Sequence, residues 1–557
     1  MWANVEIGSG RMRTIVAAGA LLLIVVALWA PFGIHTTPQG DGWILKNRVA
    51  SGERWVFSNN PTRAFILVPW TVAHFLSPDS FIGVHLLLIA IFWGKGLVLF
   101  EILRRLPGSH DGIAFLTAAL SIVYPASTWW ISIDAPVDRH WAVFFFLLSV
   151  LLLLVTWRRP RVPLLIGMWV AQILSLWTNE AILLLTLAVP LFLLWVARKP
   201  DHEFRRGAAL WLIIPVLNAI HNAAHHLMVV LVPDRAFGAS HGVEILAMDA
   251  GWRPMVESLL VAYRKHLADG WWQSVRLLDT DVLLLVVAGL AATAVLVVGY
   301  VLWPGTGTVD RRLYRFLTLA GLLVIGLGFA PFVPTSLRFT DGRSFIVSSL
   351  GAALFVPGIA GVLSGKTGRV RTVTVGLMGL LVCLATVRVL HQHARYCTGS
   401  NRQGSMLAAV IEQAPGVRPN TFFAMLFVGE TGEVRRTAGF SPRSNVFEHA
   451  LRYLYDEQNL LAGVVNTGGF IRYQLATYGI ARRLRSGEAL PSQDFSESLV
   501  YRVRRDLKVS LMRNLPRRVG GPAASAYQPD RIIDVQAPLP RRFRIVHPDH
   551  PPRHDTR

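Results

Sequence analysis

Residues 282–302 read VLLLVVAGLAATAVLVVGYVL, twenty-one residues without a charge. Wound as an α-helix at about 1.5 Å per residue, such a run covers roughly 30 Å, the thickness of a bilayer's hydrocarbon core. Working outward from it, hydropathy marks eleven spans: 14–33, 81–103, 112–130, 141–157, 164–178, 181–197, 208–232, 279–303, 316–333, 345–364 and 372–390. The composition agrees. Of 557 residues 53% are hydrophobic and only 16% charged, with a mean hydropathy of +0.44. A soluble domain has no single core able to enclose so many apolar runs, whereas a membrane accepts each as one crossing. The two cysteines, Cys383 and Cys397, build no disulfide framework and have no zinc-ligand spacing.

The formal charge of +21 is unevenly spread. The first apolar run follows Arg11 and Arg13 and has no small-residue cleavage site, so it reads as an uncleaved signal anchor with a cytoplasmic amino end. Alternating from there, the inner segments hold 17 Lys and Arg in about 55 residues and the outer segments 12 in about 116. That threefold excess is what the positive-inside rule asks for. The apolar stretch at 63–76 is short and contains Pro69; as a crossing it would put Arg104 and Arg105 outside, so it reads as a helix lying at the outer interface.

Eleven crossings leave everything after about residue 391 outside. The expected architecture is therefore an all-α polytopic membrane bundle over 1–390, its active site in the outer loops, with a small extracytoplasmic α/β or α+β domain over 391–557. Within that tail 421–428 reads as a strand, 446–459 as a helix and 480–485 as a basic helix-like stretch. Short strands are expected near 499–503, 532–535 and 543–546, and disorder from residue 548. The tail carries 24 Lys and Arg against 14 Asp and Glu, or +10 of the total. A basic domain beside a membrane faces anionic head groups or polymers, and nucleic acid is not expected on that side.

Ionisable residues of both signs gather at the outer helix ends. In GDGW, residues 40–43, glycines flank Asp41, either to aim its carboxylate into a cavity or simply to make a turn. In YPASTWWISIDAPVDRHW, residues 124–141, Asp134 and Asp138 stand four apart with Arg139 beside them, and Pro136 between them favours an irregular turn over a helix. They could meet one cation or one hydroxyl, or be solvated loop charges. Glu180 borders a long uncharged run, where a carboxylate needs a wet cavity or a partner unless it caps the helix, a job for which Asn179 and Thr178 compete. His221 and His225, with Asn218 and Asn222, form one helical stripe; without a third ligand it reads as a polar cavity wall rather than a zinc site. In TSLRFTDGRS, residues 335–344, Arg338, Asp341 and Arg343 precede a helix, which suits an anion or else anchors the helix at the lipid interface.

This layout resembles the GT-C superfamily of polyprenyl-phosphate-dependent glycosyltransferases. The shared features are an acidic residue soon after the first span (Asp41), an interfacial helix in the same loop, later outer acids (Asp134, Asp138, Glu180), a late arginine loop and an outward C-terminal domain. The resemblance implies transfer of a sugar from a polyprenyl-phosphate donor to an envelope glycan, lipid or protein acceptor at the outer face of the plasma membrane, amid membrane lipids. It implies Asp41 as general base or metal contact, so a divalent cation is a candidate cofactor, although Asp41 has no adjacent acidic partner. Asp134 or Asp138 would orient acceptor or metal, and Arg338 and Arg343 would hold the donor phosphate, with Arg139, Asp341, His221 and His225 lining the substrate site. Displacing a lipid phosphate from an anomeric carbon needs a carboxylate to accept a proton and cations to stabilise the leaving group, independently of the resemblance.

Three other classes remain. A transporter or lipid flippase would need polar groups at mid-membrane, for which only the His/Asn stripe and Lys95 offer themselves. An O-antigen ligase or polymerase would use the loop at 233–278 with His241, Arg253 and Arg264. A non-catalytic scaffold would act through the tail.

Overall fold

In a computed structural model, the described residues are 7–52, 61–127, 130–134, 136–157, 161–197, 202–231, 252–279, 281–303, 311–335, 344–364, 370–427, 444–465, 471–476, 479–484, 489–504, 506, 508–515 and 521–547. Arg338, Asp341, Arg343 and His241 lie outside them.

Every expected span has a helix. They are α1 (Ile7–Trp29), α4 (Ile82–Leu103), α5 (Asp111–Val123), α6 (Pro136–Thr156), α7 (Val162–Leu176), α8 (Leu183–Ala197), α9 (His202–Leu231), α12 (Val282–Leu302), α13 (Arg311–Phe329), α14 (Phe345–Ser364) and α15 (Val370–Gln413). Two short helices, α2 (Asp41–Ala50) and α3 (Val68–Leu76), lie between α1 and α4, and α10 (Trp252–Arg264) and α11 (Gly270–Arg276) between α9 and α12. Eight of the described helices are long and apolar enough to cross a bilayer, and nine spans result if α7 and α8, which bend by 118° at Trp177–Asn179, count as one. Among the described residues this measure therefore counts eight or nine and does not confirm the expected eleven crossings. The shortfall has local causes. Pro125 stops α5 after 13 residues, because a proline forces the residue before it out of helical geometry, and the described residues 124–127 and 130–134 are not helical. At 15 residues each, α7 and α8 fall short of a full crossing.

The two ends of the bundle are chemically distinct. At one end Arg13 pairs with Asp111 at 3.4 Å, Arg104 with Glu101 at 3.2 Å, and Tyr314 meets His110 at 3.5 Å. At the other end lie α2, α3, residues 130–134, the α7–α8 turn and the described elements of the C-terminal part. As the apolar stretch at 63–76 requires, α3 turns Phe75 and Leu76 outward while Trp70 and Ala73 are buried. Gly83 lets it lie against α4: a Cβ there would sit 2.0 Å from the Ala73 carbonyl oxygen.

Helix α15 continues unbroken for 44 residues, roughly 66 Å, so it passes through the expected domain boundary near residue 390 and carries the chain into the tail. There a seven-stranded mixed sheet forms in the order β6-β5-β4-β3-β2-β7-β8. Its strands are β2 (Phe422–Phe427), β3 (Leu461–Val465), β4 (Ile471–Ala476), β5 (Gly479–Leu484), β6 (Ala489–Gln493), β7 (Ser498–Val503) and β8 (Val509–Leu511). A separate two-residue pair joins β1 (Gly416–Val417) and β9 (Ile533–Asp534). Central β2 runs parallel to β3 and to β7, with α16 (Ser444–Tyr455) between β2 and β3 in sequence. The tail thus has the expected mixed helix and strand character. Two expectations are corrected. Residues 480–484 of the expected helix-like stretch belong to β5, because pairing on both sides with β4 and β6 overrides local helix propensity. Residues 541–545 form a 3-10 turn rather than a strand, with Arg542 drawn into ion pairs with Asp79 and Asp456.

The tail is packed onto the connection between α1 and α4. Asn47 of α2 and Gln458 exchange amide hydrogen bonds at 3.1 and 3.2 Å, and the Asn47 amide also donates to His449 Nδ1 at 3.1 Å. Lys46, fully buried, donates to the Ser77 carbonyl at 2.8 Å and lies between the Phe81 and Tyr453 rings. Burial, aided by Arg542 and opposed by Asp79, pushes the Lys46 ammonium down to about 7. Arg542 in turn bonds Asp79, Asp456 and the Tyr453 carbonyl and stacks on the Tyr453 ring.

Candidate active site

The site begins where α1 ends. Asp41 is the first residue of α2, half-buried, between glycines that do different jobs. Neither has a positive φ. Gly42 is required for close approach, since a Cβ would meet the Ile133 carbonyl and Pro38 Cβ, both at 2.7 Å; at Gly40 a Cβ would find only ordinary contact.

What shapes this turn is Asp134. One carboxylate oxygen accepts from the Gly40 and Gly42 amides, each at 3.0 Å; the other accepts from the Gln39 amide at 3.3 Å, Ser132 Oγ at 3.1 Å and the Tyr396 hydroxyl at 3.0 Å. Burial pushes this carboxyl above its ordinary range, with Asp41 adding to the effect, while the bonds from Gly42, Tyr396 and Gln39 pull the other way. Asp134 thus grips the backbone that presents Asp41.

The expected irregular turn around Pro136 is corrected. Proline opens α6, where its missing N–H costs nothing, so Asp138, Arg139 and His140 occupy the first helical turn and are buried. Asp138 accepts from Asn179 Nδ2 at 3.4 Å. The Arg139 guanidinium lies 5.6 Å from the centre of the Phe332 ring, close to the start of the segment that leads to Arg338. His140 donates to the Trp130 carbonyl at 2.9 Å.

Glu180 is held by Arg63 in a two-pronged ion pair, Nε and Nη2 each 2.6 Å from a separate carboxylate oxygen. The capping role goes to Asn179, whose side chain accepts from the Ala181 amide at 3.1 Å. Arg63 was not singled out in the sequence, although a lone charge at the head of an apolar stretch is the signal that could have found it. The same corner is stitched by the Phe65 amide to the Trp177 carbonyl at 3.0 Å and by His221 Nε2 to the Pro61 carbonyl at 3.2 Å. Asn222 bonds Asn218 at 3.1 Å, so this polar stripe is linked internally. His225 is half-buried one turn further along.

The structure therefore brings Asp41 beside Asp134, Asp138 beside Asn179, and Glu180 beside Arg63, all at one end of the bundle. Arg253 and Arg264, considered for a ligase loop, are exposed on or at the end of α10 and are paired with Glu257 and Asp269. Among the described residues no group of three or more His, Cys, Asp or Glu is placed to hold a metal ion, and the Asp134 oxygens already accept five hydrogen bonds. Asp134 is thus occupied as a hydrogen-bond acceptor rather than open to a cation.

No family model matches the chain, and no curated protein matches it. Among solved structures, the chain is similar to the "Crystal Structure of ArnT from Cupriavidus metallidurans bound to Undecaprenyl phosphate" at 14% identity and a TM-score of 0.36. The match covers 80% of this chain and 89% of that one. At that score the likeness decides nothing about chemistry, which rests on the residues themselves.

Proposed function

We propose that this protein is a membrane glycosyltransferase of the GT-C type, moving a sugar from a polyprenyl-phosphate donor to an acceptor hydroxyl at the outer face. The observation that carries the proposal is the convergence at one bundle end of a presented carboxylate, Asp41, with the buried Asp134, Asp138 and Arg139 and the half-buried Arg63–Glu180 pair.

In this scheme Asp41 takes the acceptor's hydroxyl proton as the oxygen attacks the anomeric carbon. The bond from that carbon to the phosphate oxygen breaks, and the polyprenyl phosphate leaves with the electron pair. Arg139, with Arg338 and Arg343 of the 335–344 segment, stabilises the growing phosphate charge, and Asp341 orients that loop. Asp138, steadied by Asn179, orients the acceptor. Asp134 and Glu180 act as positioning groups, the first for the Asp41 turn and the second for Arg63 and the chain leading to α3. His221 and His225 line the wall. The polyprenyl tail stays in hydrocarbon between helices while its head group meets this polar mouth.

The test is a lipid and glycan comparison of cells with and without the protein. Cells lacking it are expected to accumulate a polyprenyl-phosphate-linked sugar and lose one glycan modification; identical profiles would contradict the proposal.

A further inference from the structure

The sequence gives no hint that α15 has anything to do with Asp41, some 350 residues earlier. Yet one face of it, Tyr396, Ser400 and Gln403, spaced as neighbours on a helix surface, lies against the Asp41 turn. The Gln39 side-chain amide donates to the Tyr396 carbonyl. Ser400 Oγ accepts from the Thr37 amide at 2.8 Å and shares a hydrogen bond with Thr37 Oγ1 at 2.9 Å. Trp43 Nε1 donates to Gln403 Oε1 at 3.4 Å as well as to the Pro38 carbonyl at 2.7 Å. Gly399 gives the contact its closeness, since a Cβ would come within 2.5 Å of Gln39 Nε2.

The Tyr396 hydroxyl has a single proton and two acceptors in reach, Asp134 Oδ2 at 3.0 Å and the Thr37 carbonyl at 3.3 Å. Through either bond it holds the Asp41 turn, by the clamp or by the backbone. We infer that the Tyr396–Ser400–Gln403 ridge of α15 is the template that positions Asp41, with Tyr396 as its principal positioning residue. The same helix is fixed to the tail sheet. Gln413 accepts from the Leu511 amide at 2.6 Å and donates to the Val509 carbonyl at 3.1 Å, and the Tyr501 hydroxyl donates to the Val410 carbonyl at 3.3 Å. One continuous helix therefore ties the geometry of the Asp41 turn to the C-terminal domain.

The inference rests on Asp41 as the base only for its catalytic meaning, and the test separates the two. In the full chain in detergent, Tyr396→Phe removes one oxygen atom. Hydrogen exchange of the Gln39, Gly40 and Gly42 amides is expected to speed up about tenfold while amides of β2 and β7 keep their rates. Unchanged exchange at residues 39–42 would overturn the inference. In sugar transfer, Tyr396→Phe is expected to lower kcat about tenfold with the donor KM unchanged. Added to Asp41→Asn it should cost nothing further, because both changes then disable one unit. Independent, additive losses would also overturn it. Should Asp41→Asn alone leave transfer intact, the glycosyltransferase proposal falls while the exchange measurement still decides the ridge. Ser400→Ala, expected to loosen the same amides, serves if Tyr396→Phe does not accumulate.

Discussion

Asp41→Asn is expected to lower sugar transfer by about 10²- to 10⁴-fold, the usual contribution of a positioned general base, while leaving the amount of protein in the membrane unchanged. The two halves of this expectation have separate grounds. The amide cannot take up the acceptor's proton, so the chemical step loses its base. The fold, by contrast, meets an amide of nearly the same shape and size in place of the carboxylate. The side chain is half-buried at the first turn of α2, where a carboxylate's favourable interaction with the helix dipole is worth under about 1 kcal/mol. The neighbouring backbone amides are served by Asp134 rather than by Asp41. The check is a transfer assay in membranes normalised to immunoblot abundance; transfer within twofold of the unaltered protein would remove Asp41 from the chemistry.

Asp134→Ala should behave in the opposite way, failing first in stability. Removing this carboxylate strips the acceptor from three backbone amides and two hydroxyls. Each buried donor left unsatisfied costs about 1–3 kcal/mol, and even partial rescue by water leaves a deficit of several kcal/mol against a native stability of about 5–15 kcal/mol. Abundance is expected to fall severalfold and the unfolding temperature to drop. Asp134→Asn keeps one acceptor oxygen but turns an NH₂ group toward donors. It should accumulate better than the alanine variant and still transfer poorly, because the turn that presents Asp41 is no longer gripped from both oxygens. Thermal unfolding of the purified variants, beside the transfer assay, separates the two effects. Normal stability of Asp134→Ala would show that the clamp is dispensable.

The apolar runs made the bundle legible because hydropathy needs no partner to be read. Its irregularities were less so. Trp130 and Ile131 prolong the apolar signal beyond Pro125 and hide the end of α5. The polar stretch from 391 to 413 looked like the start of a tail, whereas it continues α15 because its inward face finds Thr37, Gln39 and Trp43. Likewise 480–484 is strand only because β4 and β6 flank it.

The site residues were recognisable as types, but their roles were set by partners far away in the chain. Glu180 stands out from its apolar surroundings and Arg63 from its own, yet nothing local says that the two, 117 positions apart, are partners. Asp134 stands out as an acid, but that it clamps a turn more than 90 residues away follows only from the fold. Tyr396, Ser400 and Gln39 carry no sequence signal at all, being ordinary residues made important by the face of α15 on which they meet.

The central claim is that proton-accepting and phosphate-gripping groups open to the same side of the membrane. It is tested most directly by placing single cysteines, Asp41→Cys or Arg343→Cys, in a chain whose native Cys383 and Cys397 have been replaced by serine or alanine, and treating intact cells with a membrane-impermeant thiol reagent. Both positions are expected to be modified from outside. Modification of one from outside and of the other only after the membrane is opened would place them on opposite faces, and no shared active site could then exist.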